Sequence, residues 1–320
     1  MAESKFAVYG AIVANLAIAV TKFIAASISG SSAMLSEGIH SIVDMGNGAL
    51  LLVGMRRSER QATSEHPFGY GKELYFWSLI VAVLIFGVGG GVSFYQGVSH
   101  IMHPPELGDP TWNYVVLAAS AVFEGASLAI ALRTFWRQKG TQPFWAALHA
   151  SKDPVTYTVI AEDSAALVGL AFAAAGVWTS HRLNMPVLDA VASVLIGLLL
   201  AIVAVLLIHE SRSLLVGEGV RPATANAIRA LALADKRVRF VGKPLSMYIG
   251  ADEVLLVLDA QFDPALRAEE IAQAVRSLER QIRERYPNIR RIYIETSTLN
   301  APPEAAAQTT VGVRQADSLQ

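Results

Sequence analysis

Two polar residues one helical turn apart interrupt an otherwise apolar stretch near the start of the chain. Residues 36–47 have the sequence SEGIHSIVDMGN, in which His40 and Asp44 are four positions apart. On a helix this spacing places both side chains on one face, one turn apart. An imidazole nitrogen beside a carboxylate oxygen is a ligand pair for a divalent ion of the first transition row.

Two adjacent acids, Glu162 and Asp163, lie in a second apolar stretch with the sequence AEDSAALVGL from residue 161. A charged side chain inside a membrane costs a few kcal/mol or more, so such residues point to function. The chain contains no cysteine. A thiolate site is therefore excluded, and a metal would be held by His, Asp, Glu or the backbone.

Long apolar segments must position these residues. Of the 320 residues, 53% are hydrophobic and only 17% are charged, whereas a soluble domain carries about 25% charge. Six segments are long enough to cross a hydrocarbon core about 30 Å thick, at roughly 6–28, 32–54, 74–98, 113–133, 155–179 and 187–208. The net charge of −1 argues against a nucleic-acid partner, because no basic surplus exists to neutralise phosphates.

The basic residues predict the orientation of the spans. One set of loops is rich in them: Arg56, Arg57, Arg60, Lys72, Arg133, Arg137, Lys139 and Lys152. The opposite loops, at 29–31, 99–112 and 180–186, carry only Arg182. With six spans, both termini are expected on the cytoplasmic side.

The candidate ligands are expected at one depth. Helical rise places His40 and Asp44 about 12 and 18 Å from the outer boundary, and Asp163 about 16 Å from it. A lone intramembrane His or Asp can simply be a hydrogen-bonded packing group, but three at matched depth on two segments favour a ligand site. Lys22 and Asn47 are interpreted as helix–helix polar contacts, and Glu124 as a proton relay, a cavity-shaping group or an interhelical hydrogen bond.

After residue 210 the composition changes to that of a small soluble domain. Periodicity predicts helices at about 222–233 and 266–285 and strands near 237–247, 253–262 and 289–297. The expected fold is a membrane all-α six-helix domain (1–210) followed by a small α+β domain of order α-β-β-α-β (211–299), which dimerisation would cover. Residues 300–320 are expected to form a disordered tail.

Three segments together resemble the cation diffusion facilitator family: SGSSAMLSEGIHSIVDMGN at 29–47, HPFGYGKE at 66–73, and the acid-rich fifth span around Asp163. The resemblance covers nearly the whole chain. It implies six spans with a cytosolic α+β domain, and export of zinc or a related ion against protons. The family pattern maps span-two ligands onto His40 and Asp44 and a span-five ligand onto Asp163.

The sequence departs from the family pattern at Val159, four residues before Asp163, where a further ligand is expected. Glu162 lies about 100° around the helix from Asp163, so it can complete the site only if the span is rotated or locally distorted. The alternative fourth ligand is a water. A carboxylate-rich set suits manganese, iron or cobalt, whereas His40 favours zinc. No histidine follows His209, so the soluble domain is interpreted as a dimerisation element rather than a metal sensor.

The resulting hypothesis is a secondary transporter that exports a divalent metal ion, zinc first, from the cytoplasm in exchange for protons by alternating access. It would have no resident cofactor, no enzymatic activity, and a cell inner-membrane location. Its expected partners are a second copy of the chain, the lipid bilayer, protons and divalent metal ions. The alternatives are transport of manganese, iron or cobalt, a passive channel, a metal sensor or scaffold without transport, and an intramembrane metalloenzyme, in which Glu162 would be the general acid.

Overall fold

The computed structural model describes residues 2–104, 109–139, 143–144 and 152–297, with side chains from Asn15 onward except at 138, 139 and 297. The chain divides into two compact units after Val216. The last helix of the first unit thus continues six residues beyond the boundary expected at 210. The predicted tail at 300–320 lies outside the described residues.

The first unit consists of long helices: α1 (Ala2–Ser29), α2 (Ser32–Ser58), α3 (Glu73–Met102), α4 (Thr111–Lys139), α5 (Pro154–Leu183) and α6 (Val187–Val216). Among the residues whose side chains are described, α2 to α6 are long and apolar enough to cross a membrane, and the described stretch Asn15–Ser29 of α1 is also apolar. This is a multi-pass membrane unit.

Local sequence determines where these helices begin and end. Gly30 has φ 67°, a conformation that glycine adopts without steric cost, and it lets α1 turn directly into α2. The Ser31 hydroxyl then accepts a hydrogen bond from Met34 N at 3.1 Å and caps α2. Asp153 caps α5 in the same way through Val155 N at 3.0 Å, with Pro154 in the first turn.

Helices α3 and α6 approach each other through glycines. A Cβ at Gly197 would lie 2.6 Å from the backbone nitrogen of Phe94, and one at Gly97 would lie 2.7 Å from Val194 N. Small residues allow this close contact between membrane helices. Nearby, the turn Ile85–Gly90 of α3 is π-helical, a local widening that helices show at functional or packing irregularities.

The second unit contains α7 (Pro222–Leu233), β1 (Val238–Val241), β2 (Leu245–Gly250), β3 (Glu253–Phe262), α8 (Ala268–Arg285) and β4 (Ile289–Ser297). Strand β3 pairs antiparallel with β1 at its end and with β2 at its start, and parallel with β4 along most of its length. Strand β4 therefore occupies one edge of β3, and β1 and β2 lie one after the other along its opposite edge.

Alternate residues of β3 are buried, from Val254 to Phe262, as expected for a sheet with one covered face. They pack in one core with Ile228 of α7 and with Leu278 and Ile282 of α8. The α+β class predicted for this unit is confirmed.

The single strand predicted at 237–247 is wrong, and the order is α-β-β-β-α-β. The break falls at residues 242–244, where Gly242 N still bonds to Asp259 O at 2.9 Å. Pro244 has no N–H to donate to a ladder, so the chain bends there and re-enters the sheet as β2.

Candidate metal site

Helix α2 places His40 and Asp44 side by side inside the membrane unit. Their side chains are 2% and 14% exposed, and His40 Nδ1 lies 3.4 Å from Asp44 Oδ1. This contact is not a hydrogen bond, because neither ring nitrogen of His40, nor Asp44 Oδ1, has a hydrogen-bond partner among the described residues. Buried polar atoms are normally paired. These three atoms are therefore available to contact a ligand.

Helix α5 contributes Glu162 and Asp163, which have different surroundings. Glu162 is buried, and its Oε1 accepts a hydrogen bond from Asn47 Nδ2 of α2 at 2.7 Å. Asp163 is half-buried, its Oδ2 has no partner among the described residues, and the hydroxyl of Ser127 on α4 lies close to its carboxylate. Asp163 is the freer acid of the two, whereas Glu162 links α5 to α2.

The two halves of the predicted site face a common region. His40 interacts electrostatically with Asp163, and Asp44 interacts with both Asp163 and Glu162. In the described part of the chain, however, no three His, Asp or Glu side chains are gathered closely enough to hold an ion. Zinc–ligand bonds are about 2.0–2.2 Å long. Closing the site on an ion thus requires side-chain movement, and the ligand set remains a prediction.

A buried ion pair lies beside this region. Lys22 Nζ of α1 contacts Glu37 Oε2 at 3.0 Å and donates to Ser41 Oγ at 2.8 Å. The helix–helix role expected for Lys22 and Asn47 is therefore seen, with Glu37 and Glu162 as their acidic partners. Sequence reasoning did not single out Glu37, although its position one turn before His40 was a signal that it shares that face.

The start of α2 is fixed by Asp189 of α6. This buried carboxylate accepts hydrogen bonds from Ser31 Oγ at 2.8 Å, Ser32 N at 2.6 Å, Ser32 Oγ at 3.0 Å and Ala33 N at 3.3 Å. A turn further along, Ser36 Oγ and Ser193 Oγ are 2.5 Å apart. Together these bonds fix one end of α2 and hence the direction in which His40 and Asp44 project.

The conspicuous HPFGYGKE segment forms a compact loop between α2 and α3. His66 O accepts from Thr63 N and Gly69 N, and the His66 ring stacks 4.5 Å from that of Tyr70. The Arg60 guanidinium lies 5.5 Å from the Tyr70 centroid, within cation–π range. These contacts give the segment a turn-forming role.

Apolar helices of membrane-spanning length thus surround buried imidazole and carboxylate groups in a multi-pass membrane protein. Residues 8–216 match the family model of the cation efflux transmembrane domain. The chain belongs to this family, the cation diffusion facilitators, whose members are transporters rather than enzymes.

Similarity to individual proteins is consistent with this family assignment. The chain is 34% identical over 245 residues to the human proton-coupled zinc antiporter SLC30A9, mitochondrial, covering 76% of this chain and 43% of that protein. It is 34% identical over 222 residues to metal tolerance protein C4 of Arabidopsis thaliana, covering 68% and 48%. Magnetosome protein MamM of Magnetospirillum gryphiswaldense is 24% identical over 263 residues, covering 81% and 78%. The chain spans under half the length of the first two.

Proposed function

We propose that the protein is a proton-coupled exporter of a divalent first-row metal ion, with zinc as the first candidate. The observation that carries this proposal is the His40 imidazole, 2% exposed with both nitrogens unpartnered among the described residues, 3.4 Å from the Asp44 carboxylate and in electrostatic interaction with Asp163. A buried, unsatisfied imidazole is costly unless a ligand compensates it. The zinc antiporter named among the relatives supports the choice of ion and of coupling.

The donor set couples metal to protons by elementary chemistry. Metal binding requires a neutral imidazole and ionised carboxylates, so loading expels protons and protonation releases the ion. Exporting a divalent ion against 100 mV costs about 4.6 kcal/mol, and each proton that moves inward returns about 2.3 kcal/mol. A site that faces the cytoplasm when it loads and the far side when it unloads would use this exchange.

Proteoliposomes that contain both a zinc dye and a pH dye test the proposal. A zinc gradient should drive zinc flux with opposite proton movement, and His40→Ala and Asp44→Asn should abolish both signals. Ile42→Ala is the matched control, because Ile42 lies on the same helix and is 44% exposed. Zinc flux without proton movement would contradict the coupling, and unchanged flux in His40→Ala would contradict the site.

The choice of ion depends on the balance between the nitrogen ligand of His40, which favours zinc, and the carboxylate oxygen ligands, which favour harder ions. Val159 leaves α5 without a second ligand one turn before Asp163, and a set richer in oxygen favours manganese, iron or cobalt. Competition of zinc uptake by these ions, in wild type and Glu162→Ala, measures the balance. Manganese or iron that competes better than zinc would replace zinc as the proposed cargo.

The proposed setting is a homodimer in a cell inner membrane with cytoplasmic termini. The chain has no cysteine, so single cysteines at Gln61 and Met185 report sidedness directly. A membrane-impermeant maleimide should label Met185→Cys in intact bacterial cells and Gln61→Cys only after permeabilisation, following the basic-residue rule. The reverse pattern would invert the topology, and a monomeric mass in detergent would exclude a stable dimer.

A further inference from the structure

Helix α4 presents one buried stripe to the rest of the membrane unit. Its buried residues follow helical spacing: Asn113, Leu117, Ser120, Glu124 and Phe135. The neighbours of Glu124 in sequence, Val122 and Phe123, are 71% and 53% exposed, whereas Glu124 is 8% exposed. The stripe thus directs one carboxylate inward on a helix whose other faces are apolar and accessible. An acid is costly in that place unless it has a function.

The inward stripe of α4 lies against the candidate site. Helix α4 packs on α5 and α1, and Ser127, about one turn after Glu124, lies close to the Asp163 carboxylate. Glu124 interacts electrostatically with Asp44, His40 and Asp163. Among the described residues, no hydrogen bond or ion pair holds its carboxylate. Glu124 of α4 is therefore within electrostatic range of groups on α2 and α5, among them the unpartnered imidazole of His40. No three of these side chains in the described part of the chain are close enough to hold an ion, so ligation requires them to move together.

A vacant position on α5 explains why a third helix would be needed. Val159 precedes Asp163 by one turn and shares its face, but it has no donor atom. Glu162 is held by Asn47 through a 2.7 Å hydrogen bond. His40, Asp44 and Asp163 leave one coordination position open in a tetrahedral set.

We propose that Glu124 of α4 is a direct ligand of the transported ion and takes the position that Val159 cannot fill. The inference rests on the proposed transport function and adds a donor to it. The site is then built by α2, α4 and α5, with one nitrogen and three carboxylate ligands. This set is harder than one with two imidazoles, so the protein accepts manganese or cobalt more readily than such a site would.

The experiment measures zinc binding by titration calorimetry on the full chain in detergent, separately from transport. Glu124→Gln keeps the shape and removes the charge, and it should raise the zinc Kd by at least about tenfold. Adding Val159→Asp to that variant places a carboxylate one turn before Asp163 and should recover most of the lost affinity. Ser120→Ala, on the same buried stripe, is the control and should keep the wild-type Kd.

Each outcome decides the matter. A Glu124→Gln protein with wild-type Kd but slowed, pH-shifted transport overturns the ligand role and makes Glu124 a proton carrier. Glu124→Gln can also lower the affinity without any recovery on adding Val159→Asp. If the melting temperatures of the variants match, that result overturns the claim that Glu124 takes the position that Val159 cannot fill. Wild-type protein that binds zinc but transports none refutes the proposed function alone, because the effect of Glu124 on binding is still measured.

Discussion

Lys22 and Glu37 form an ion pair from which solvent is wholly excluded: Lys22 Nζ lies 3.0 Å from Glu37 Oε2, and both side chains are 0% exposed. The pair joins α1 to α2 one turn before His40. Removing one member leaves a buried charge without compensation, which typically costs about 3–5 kcal/mol, whereas removing both costs much less.

The first prediction follows from this asymmetry. Lys22→Met should lower the melting temperature in detergent markedly, and Lys22→Met/Glu37→Gln should recover part of the loss. The exposed pair Arg283–Glu279, 3.2 Å apart on α8, is the comparison, because Arg283→Met should change stability by less than about 1 kcal/mol. A double variant less stable than Lys22→Met would show that the pair is not a coupled unit.

The cap on α2 supplied by Asp189 should be a second point of strong dependence. Asp189→Ala leaves two backbone N–H groups and two serine hydroxyls without this acceptor, and each lost bond costs about 1 kcal/mol. Thermal unfolding should show the loss, and Glu59→Ala, at the exposed end of the same helix, should not. Equal melting temperatures for the two variants would mean that water replaces the cap.

Gly197 should tolerate no side chain. A Cβ there would lie 2.6 Å from Phe94 N and 2.9 Å from Gly90 O, both backbone atoms that cannot rotate away. Overpacking of this kind costs about 1–3 kcal/mol. Gly197→Ala should therefore destabilise the protein, whereas Gly125→Ala, with nothing within 4 Å of the new Cβ, should be neutral or stabilising. Similar unfolding curves for both would contradict the close contact.

Glu162 and Asn47 should behave as one structural unit. Because Asn47 Nδ2 donates to Glu162 Oε1, Asn47→Ala and Glu162→Gln should each weaken transport through the α2–α5 contact, and the double variant should be little worse than either. Zinc Kd values measured beside melting temperatures separate this role from ligation. Glu162→Gln with a large loss of affinity at unchanged stability would make Glu162 a ligand instead.

The second unit should lose a stabilising contact in acid. The Arg237 guanidinium hydrogen-bonded to Asp235 holds the pKa of that carboxyl below its ordinary value. A depressed folded-state pKa contributes stability above the unfolded value of about 3.9, and this contribution disappears as the pH falls through the folded pKa. Pulse proteolysis in urea should show wild type more stable than Asp235→Asn at pH 6, with the difference shrinking as the pH is lowered below the unfolded pKa of about 3.9. A difference that persists in acid would refute the assignment.

The helices were predictable because each apolar run is long, and the few polar residues within the runs do not break the helical pattern. The ends of the helices were less predictable. Helix α2 continues to Ser58 and α6 to Val216, because both helices extend into polar sequence beyond the apolar runs, and hydropathy detects only the apolar part. The break before β2 was missed for the opposite reason, since residues on both sides of Pro244 have strand character. Only the missing N–H of that one residue separates them.

Of the candidate site, the pairing of His40 with Asp44 could be predicted from the sequence, whereas the contacts between helices could not. Spacing alone places His40 beside Asp44, and they are indeed neighbours. The connection of Lys22 to Glu37, and that of Asn47 to Glu162, depends on how α1 and α5 are rotated against α2. No single helix encodes that rotation, because it results from packing across the whole unit.

The glycine contact between α3 and α6 has a mechanical consequence. Where backbone meets backbone, there are no rotamers to exchange, so one helix cannot slide along the other without steric clash. The two helices should move together as one rigid body during any rearrangement. A change of access to His40 and Asp44 would then have to come from the remaining helices, which pack through side chains that can exchange rotamers.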